Sequence, residues 1–203
     1  MIYRLFIPAF LIAMLGGCFS TPAIEVKDIC SLLDEEVSWY KSIKASSKKY
    51  KVPMHVQLAI IYQESHFASD AKPPRGKLFG VLPWFRPSSA YGFAQVKDET
   101  WDWYKLKTGN NSADRDDFDD AADFVGWYIN KSYERSGISK SDTFNQYLAY
   151  HEGHGGFNKK SYSSKGWLIK VAKNVQSNAK QYKNQLNQCK SRLDSNSVWS
   201  FLN

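Results

Sequence analysis

No stretch of this 203-residue chain holds the 18 or more consecutive apolar residues that a membrane-spanning helix needs. The longest apolar run, residues 5–15, is too short to cross a bilayer comfortably. Only three cysteines are present, Cys18, Cys30 and Cys189, which leaves room for one internal disulfide at most. No phosphate-cradling glycine loop, no credible Ser-His-Asp order and no internal repeat appears. His66, His151 and His154 match no zinc spacing and lack an accompanying Cys or carboxylate signature, so no metal and no cofactor is expected. Recognisable nucleic-acid motifs are missing as well, which argues against nucleic acid as a partner.

What is present is a basic, aromatic-rich chain. Lys and Arg number 27 against 20 acidic residues, giving a net charge of +7 and an isoelectric point near 9.2. Such a balance favours an anionic partner, cell-wall polymer among them. The basic residues do not form one dense run; Lys48-Lys49-Tyr50-Lys51 and Lys159-Lys160 are short. Aromatics make up 15% of the residues, compatible with a heavy core or with an aromatic-lined groove. The length suits one domain with a full core.

The amino terminus is more specific. Arg4 precedes the apolar run, and Gly16-Gly17-Cys18 follows it, the layout of a secretory leader. Leu15-Gly16-Gly17-Cys18 resembles the lipobox of bacterial lipoproteins, in which the Cys becomes the lipidated first residue. The resemblance implies a signal peptide over residues 1–17, a lipidated tether over 18–23 and a domain over 24–203. An ordinary signal peptide that happens to contain a Cys is the alternative. Phe19 stands where an Asp commonly retains such proteins at the inner membrane. The resemblance therefore implies a periplasmic protein, lipid-anchored to the inner face of the outer membrane.

With Cys18 set aside, Cys30 and Cys189 form an even pair in an oxidising compartment. Each lies on a helical stripe, Cys30 with Val26, Leu33 and Val37, and Cys189 with Tyr182, Leu186 and Leu193. A bridge would tie the first helix to the last and stabilise the fold by about 4–5 kcal/mol in the chain-entropy model. Two buried free thiols are the other reading.

Helical periodicity dominates the rest. Helices are expected over residues 24–46, 53–66, 98–105, 116–133, 143–152 and 165–193, with no strand alternation. Residues 68–89 form a Pro- and Gly-rich loop too long for a simple connection. Its Phe79, Val81, Leu82, Trp84 and Phe85 predict a packed flap. The expected fold is mainly α, a single helical domain with this flap between its second helix and Gly92-Phe93-Ala94-Gln95.

That second helix carries the candidate chemistry. Val56, Ile60 and Glu64 share one face, so a carboxylate rides at the end of an apolar stripe. The negative end of the helix dipole and partial burial both disfavour its charged form and raise its pKa. A carboxylic acid still protonated near neutrality is what a general acid requires. A solvated Glu at a helix end is the plain alternative.

Three pieces stand in order: Glu64-Ser65, Gly92-Phe93-Ala94-Gln95 and Ala149-Tyr150-His151-Glu152-Gly153. Together they resemble the SLT-type lytic transglycosylases, which have a lysozyme-like helical fold, over residues 52–157. The resemblance implies that Glu64 is the catalytic acid and base. It also implies that Gln95 stands at the cleft, that Tyr150 lies near the catalytic carboxylate, and that Ser88 or Ser89 matches a cleft Ser. Substrate-binding candidates are Ser89, Tyr91, Gln95, Tyr150, His151 and Glu152. His151 and Glu152 depart from the common Asn and Ala, and Phe93-Ala94 replaces Leu-Met, which marks a divergent branch.

The implied reaction cleaves the bond from N-acetylmuramic acid to N-acetylglucosamine in peptidoglycan, closing a 1,6-anhydro ring without water. A monomer acting on glycan strands is expected. Two alternatives stand beside it: a hydrolase using a second carboxylate among Asp70, Asp98 and Glu152, and a wall-binding protein without turnover.

Overall fold

A computed structural model describes residues 26–78 and 80–199. The leader, the lipobox Cys18, the tether and Phe79 of the flap lie outside the described residues. Among the described residues seven α-helices follow one another: α1 (Ile29–Glu35), α2 (Val37–Tyr50), α3 (Met54–Ser65), α4 (Asp98–Thr108), α5 (Phe118–Ser136), α6 (Thr143–Asn158) and α7 (Gly166–Trp199). Between α3 and α4 two short strands, β1 (Lys77–Leu78) and β2 (Leu82–Pro83), pair antiparallel at the tip of the flap. The expected mainly helical, single lysozyme-like domain is what the chain adopts.

The centre of the molecule is α3. Val56, Leu58, Ala59, Ile60 and Ile61 have no exposed surface, and neither has Gln57. A helix apolar on every side must be surrounded, and α2, α5 and α7 surround this one. Each buried Ile or Leu contributes about 1.5–3 kcal/mol. Gln57 is tolerated there because its amide donates to the Val52 carbonyl (3.1 Å) and its oxygen accepts from Ser46 Oγ (2.8 Å). Pro53 is the N-cap, with extended backbone, one residue earlier than a first helical position.

The first expected helix divides in two. Glu36 leaves helical geometry (φ −101°, ψ 67°), its N–H still bonded to the Leu32 carbonyl, and α1 turns away from α2 there. Cys30 of α1 and Cys189 of α7 are joined by a disulfide across 159 positions of sequence. Along α7 the buried residues Leu168, Ala172, Val175, Ala179, Tyr182, Leu186, Cys189 and Leu193 alternate by four and three, one continuous seam. Asp117 caps α5 by accepting from the Asp119 and Asp120 N–H groups, and Asp142 caps α6 through the Asn145 N–H.

The flap differs from the packed segment that its composition suggests. Val81, Trp84 and Phe85 are exposed. Trp84 and Phe85 meet edge to face at 5.0 Å.

Candidate active site

The end of α3 is fixed by an uncommon turn. His66 and Phe67 both take left-handed backbone, φ 51° and 60°, a conformation that costs a side-chain-bearing residue about 1–2 kcal/mol. The Phe67 side chain is fully buried against Trp39, Tyr62 and Phe118, and this packing offsets the strain. Glu64, in the last turn before this bend, is thereby held in place.

The Gly92-Phe93-Ala94-Gln95 segment is a second rigid piece. Gly92 has φ 77°, and a Cβ there would fall 1.9 Å from the Arg115 carbonyl oxygen, so no other residue fits. Phe93 is buried, edge-on to Trp39 and Phe118. Backbone bonds from Gly92 N to the Ala71 carbonyl (3.0 Å) and from Phe93 N to the Arg115 carbonyl (3.2 Å) complete the anchoring.

The third piece is the middle of α6. Gly153 breaks the helix with φ 71° and ψ 159°, a conformation open essentially to glycine alone. Tyr150, His151 and Glu152 precede this kink. The Tyr150 hydroxyl donates to the Ala94 carbonyl at 2.6 Å, which ties α6 to the Gln95 turn.

These pieces enclose a cleft of about 450 Å³, lined among others by Glu64, Gln95, Phe124, Tyr128, Tyr150, His151 and Glu152. Glu64 as a whole residue is only partly buried, since one side opens to the cleft, but protein crowds its carboxyl group. Desolvation pushes its pKa from 4.5 up to about 7, opposed in part by the Tyr147 hydroxyl directed at it. Tyr147 is raised in turn, first by burial and then by the Glu64 charge. Tyr150 is raised by burial and by the same charge.

Glu152 has the reverse setting. Its side chain is 4% exposed, yet Lys165 Nζ lies 2.7 and 2.9 Å from its two oxygens. His151 Nδ1 stands at 3.1 Å, and Ser161 Oγ also donates to it. Desolvation raises the pKa of this carboxyl, but bonds from Lys165, Ser161 and His151 outweigh it and bring the value to about 2.

The remaining candidates are dispersed. Gln95 lines the cleft, but its amide donates to the Ala71 and Gly92 carbonyls (2.8 and 2.9 Å). Both amide hydrogens are thus committed, and only its oxygen is left to accept. Ser89 Oγ accepts from the Asp98 N–H at the start of α4 (3.2 Å), a capping contact. Tyr91 donates to Asp116 (2.8 Å), with Lys72 and Arg115 over its ring at 4.8 and 5.5 Å. His151 lies edge-on to the exposed Trp167 at 5.2 Å. His154 is buried between Ser132 and the Tyr128 ring, and among the described residues no three His, Cys, Asp or Glu come together as a metal-ligand set.

Sequence reasoning missed two groups at the site. Tyr147 lies three residues before Tyr150, on the same helical face, and that spacing was the available signal. Glu99, in the first turn of α4, lines the cleft from the exposed side. Tyr150 lies close enough to Glu64 to feel its charge, but its hydroxyl anchors the cleft wall, and the tyrosine directed at Glu64 is Tyr147.

A carboxyl whose pKa is raised to about 7 and that faces an open groove, with a tyrosine beside it to steady the carboxylate, can give up a proton and recover it. Comparison with curated proteins and with solved structures gave no match. A family model described as the transglycosylase SLT domain matches residues 6–189, a span that takes in α3, the Gln95 turn and the kinked α6. The chain belongs to the transglycosylase SLT domain family.

Proposed function

We propose that the protein is a lytic transglycosylase of peptidoglycan, with Glu64 as its single essential carboxylate. The observation that carries this reading is the desolvated Glu64 carboxyl at the cleft, its pKa raised to about 7. The Glu64 carboxyl protonates the glycosidic oxygen as the bond to C1 of N-acetylmuramic acid breaks. The carboxylate left behind accepts from the Tyr147 hydroxyl. It then takes the proton of the sugar's own 6-hydroxyl as that oxygen closes on C1. The proton returns to Glu64, no water is consumed, and the product carries a 1,6-anhydro end. The lipobox-like Leu15-Gly16-Gly17-Cys18 supports attachment through Cys18 to the inner face of the outer membrane, which would bring the cleft to the wall.

A hydrolase would need a second, free carboxylate to activate water. Glu152 is bound by three donors, and Asp98 is paired with Arg115 at 2.8 Å. Glu99 is the cleft carboxylate that could serve, so it separates the readings. Mass spectrometry of digested sacculi should show anhydro-ended muropeptides, and Glu99→Gln should keep activity within a few-fold. Reducing ends that vanish with Glu99→Gln would establish the hydrolase instead.

A further inference from the structure

The flap is chemically unlike the rest of the chain. Residues 71–97 hold five cations, Lys72, Arg75, Lys77, Arg86 and Lys97, and no Asp or Glu. Residues 71–87 contain no Ser, Thr, Asn, Gln, His or Tyr either. On this segment Val81 and Phe85 are each 76% exposed and Trp84 is 51% exposed. Arg75 and Arg86 line a shallow groove with Trp84 and Phe85.

Ordered backbone presents these side chains. Trp84 N donates to the Gly76 carbonyl (2.7 Å) and Gly76 N to the Phe85 carbonyl (3.1 Å), continuing the hairpin beyond β1 and β2. Arg86 closes its root by donating to the Pro73 carbonyl. An apolar patch held out in water by a built hairpin and rimmed by cations marks an interaction surface.

We infer that this flap docks on the surface of an anionic phospholipid bilayer. The rival occupant is a glycan strand, and side-chain chemistry decides against it. Sugar hydroxyls both donate and accept, so a saccharide site needs side-chain acceptors. The cleft supplies them in Gln95, His151 and its glutamates. Residues 71–87 of the flap have none, because Lys, Arg and Trp only donate. A lipid interface asks for the set that is present. Trp suits the headgroup layer, Val and Phe the acyl boundary, and Arg and Lys the lipid phosphates.

The inference stands apart from the activity of the cleft and is tested apart from it. Val81→Cys in a full chain carrying Cys18→Ser, labelled with an environment-sensitive dye, reports the hairpin tip. Leu106→Cys on α4, also on an exposed apolar residue, is the control. Phosphatidylglycerol vesicles should blue-shift the dye at 81 and leave that at 106 unchanged, and phosphatidylcholine vesicles should shift neither. Arg75→Ala with Arg86→Ala should raise the lipid concentration at half-maximal shift about 30-fold, roughly fivefold per cation removed. Trp84→Ala with Phe85→Ala should raise it at least about tenfold. An unshifted dye at 81, or one that responds to isolated glycan strands and not to vesicles, overturns the assignment. Digestion of soluble glycan strands by the flap variants should stay within about twofold.

Discussion

Glu64 and Glu152 line the same cleft, and each stands just before a break in its helix, yet their carboxyl groups occupy opposite electrical surroundings. Both feel the negative end of a helical segment, and both lose water on burial, so both should favour the neutral form. Only Glu64 does. The difference is the cation: Lys165 reaches Glu152, and the polar group directed at Glu64 is a neutral tyrosine. A helix-end address therefore says little about protonation until the opposing side chain is known.

The sharpest way to break this contrast is to remove the acid. Glu64→Gln should lose at least about 100-fold in turnover on isolated sacculi, with the circular dichroism of the folded protein unchanged. The same variant should be more stable at pH 8. Glu64 binds its proton more tightly folded than unfolded, so its stabilising contribution is complete below about pH 4.5 and is lost as pH rises through about 7. Relief of that loss is worth up to roughly 3 kcal/mol, at about 1.4 kcal/mol per pH unit, readable by denaturant titration. The pH profile of the unaltered enzyme should fall on its alkaline side near pH 7, where the acid form disappears.

Tyr147→Phe sharpens the contrast from the other side. Loss of a hydrogen bond to the carboxylate should lower kcat about tenfold and move the alkaline limb to higher pH, because the tyrosine holds the Glu64 pKa down. A lowered kcat with an unmoved limb would reduce Tyr147 to a packing residue. The smallest effect on turnover belongs to Lys165→Met. It strands the Glu152 charge and should cost about 1–3 kcal/mol of stability, with the alkaline limb of activity unmoved.

The helices were legible from apolar spacing, because that spacing is what buries α3 and seams α7. Their ends were less so. α6 runs on to Asn158 past the Gly153 kink, and the break at Glu36 has no Gly or Pro to announce it. Glu64 could be read as the acid because an apolar stripe leads into it. The fate of Glu152 could not, since Lys165 arrives from just before α7, thirteen positions on. Gln95 shows a similar limit: its residue type promises both donors and an acceptor, but backbone carbonyls of Ala71 and Gly92 take the donors.

The bond from the Tyr150 hydroxyl to the Ala94 carbonyl joins two walls of the groove like a tie rod. Two walls pinned together at that point meet their polymer as a fixed gauge. Under the proposed function, the glycan has to bend to the enzyme, and chain stiffness, including the density of peptide cross-links, becomes a selector of where cutting occurs.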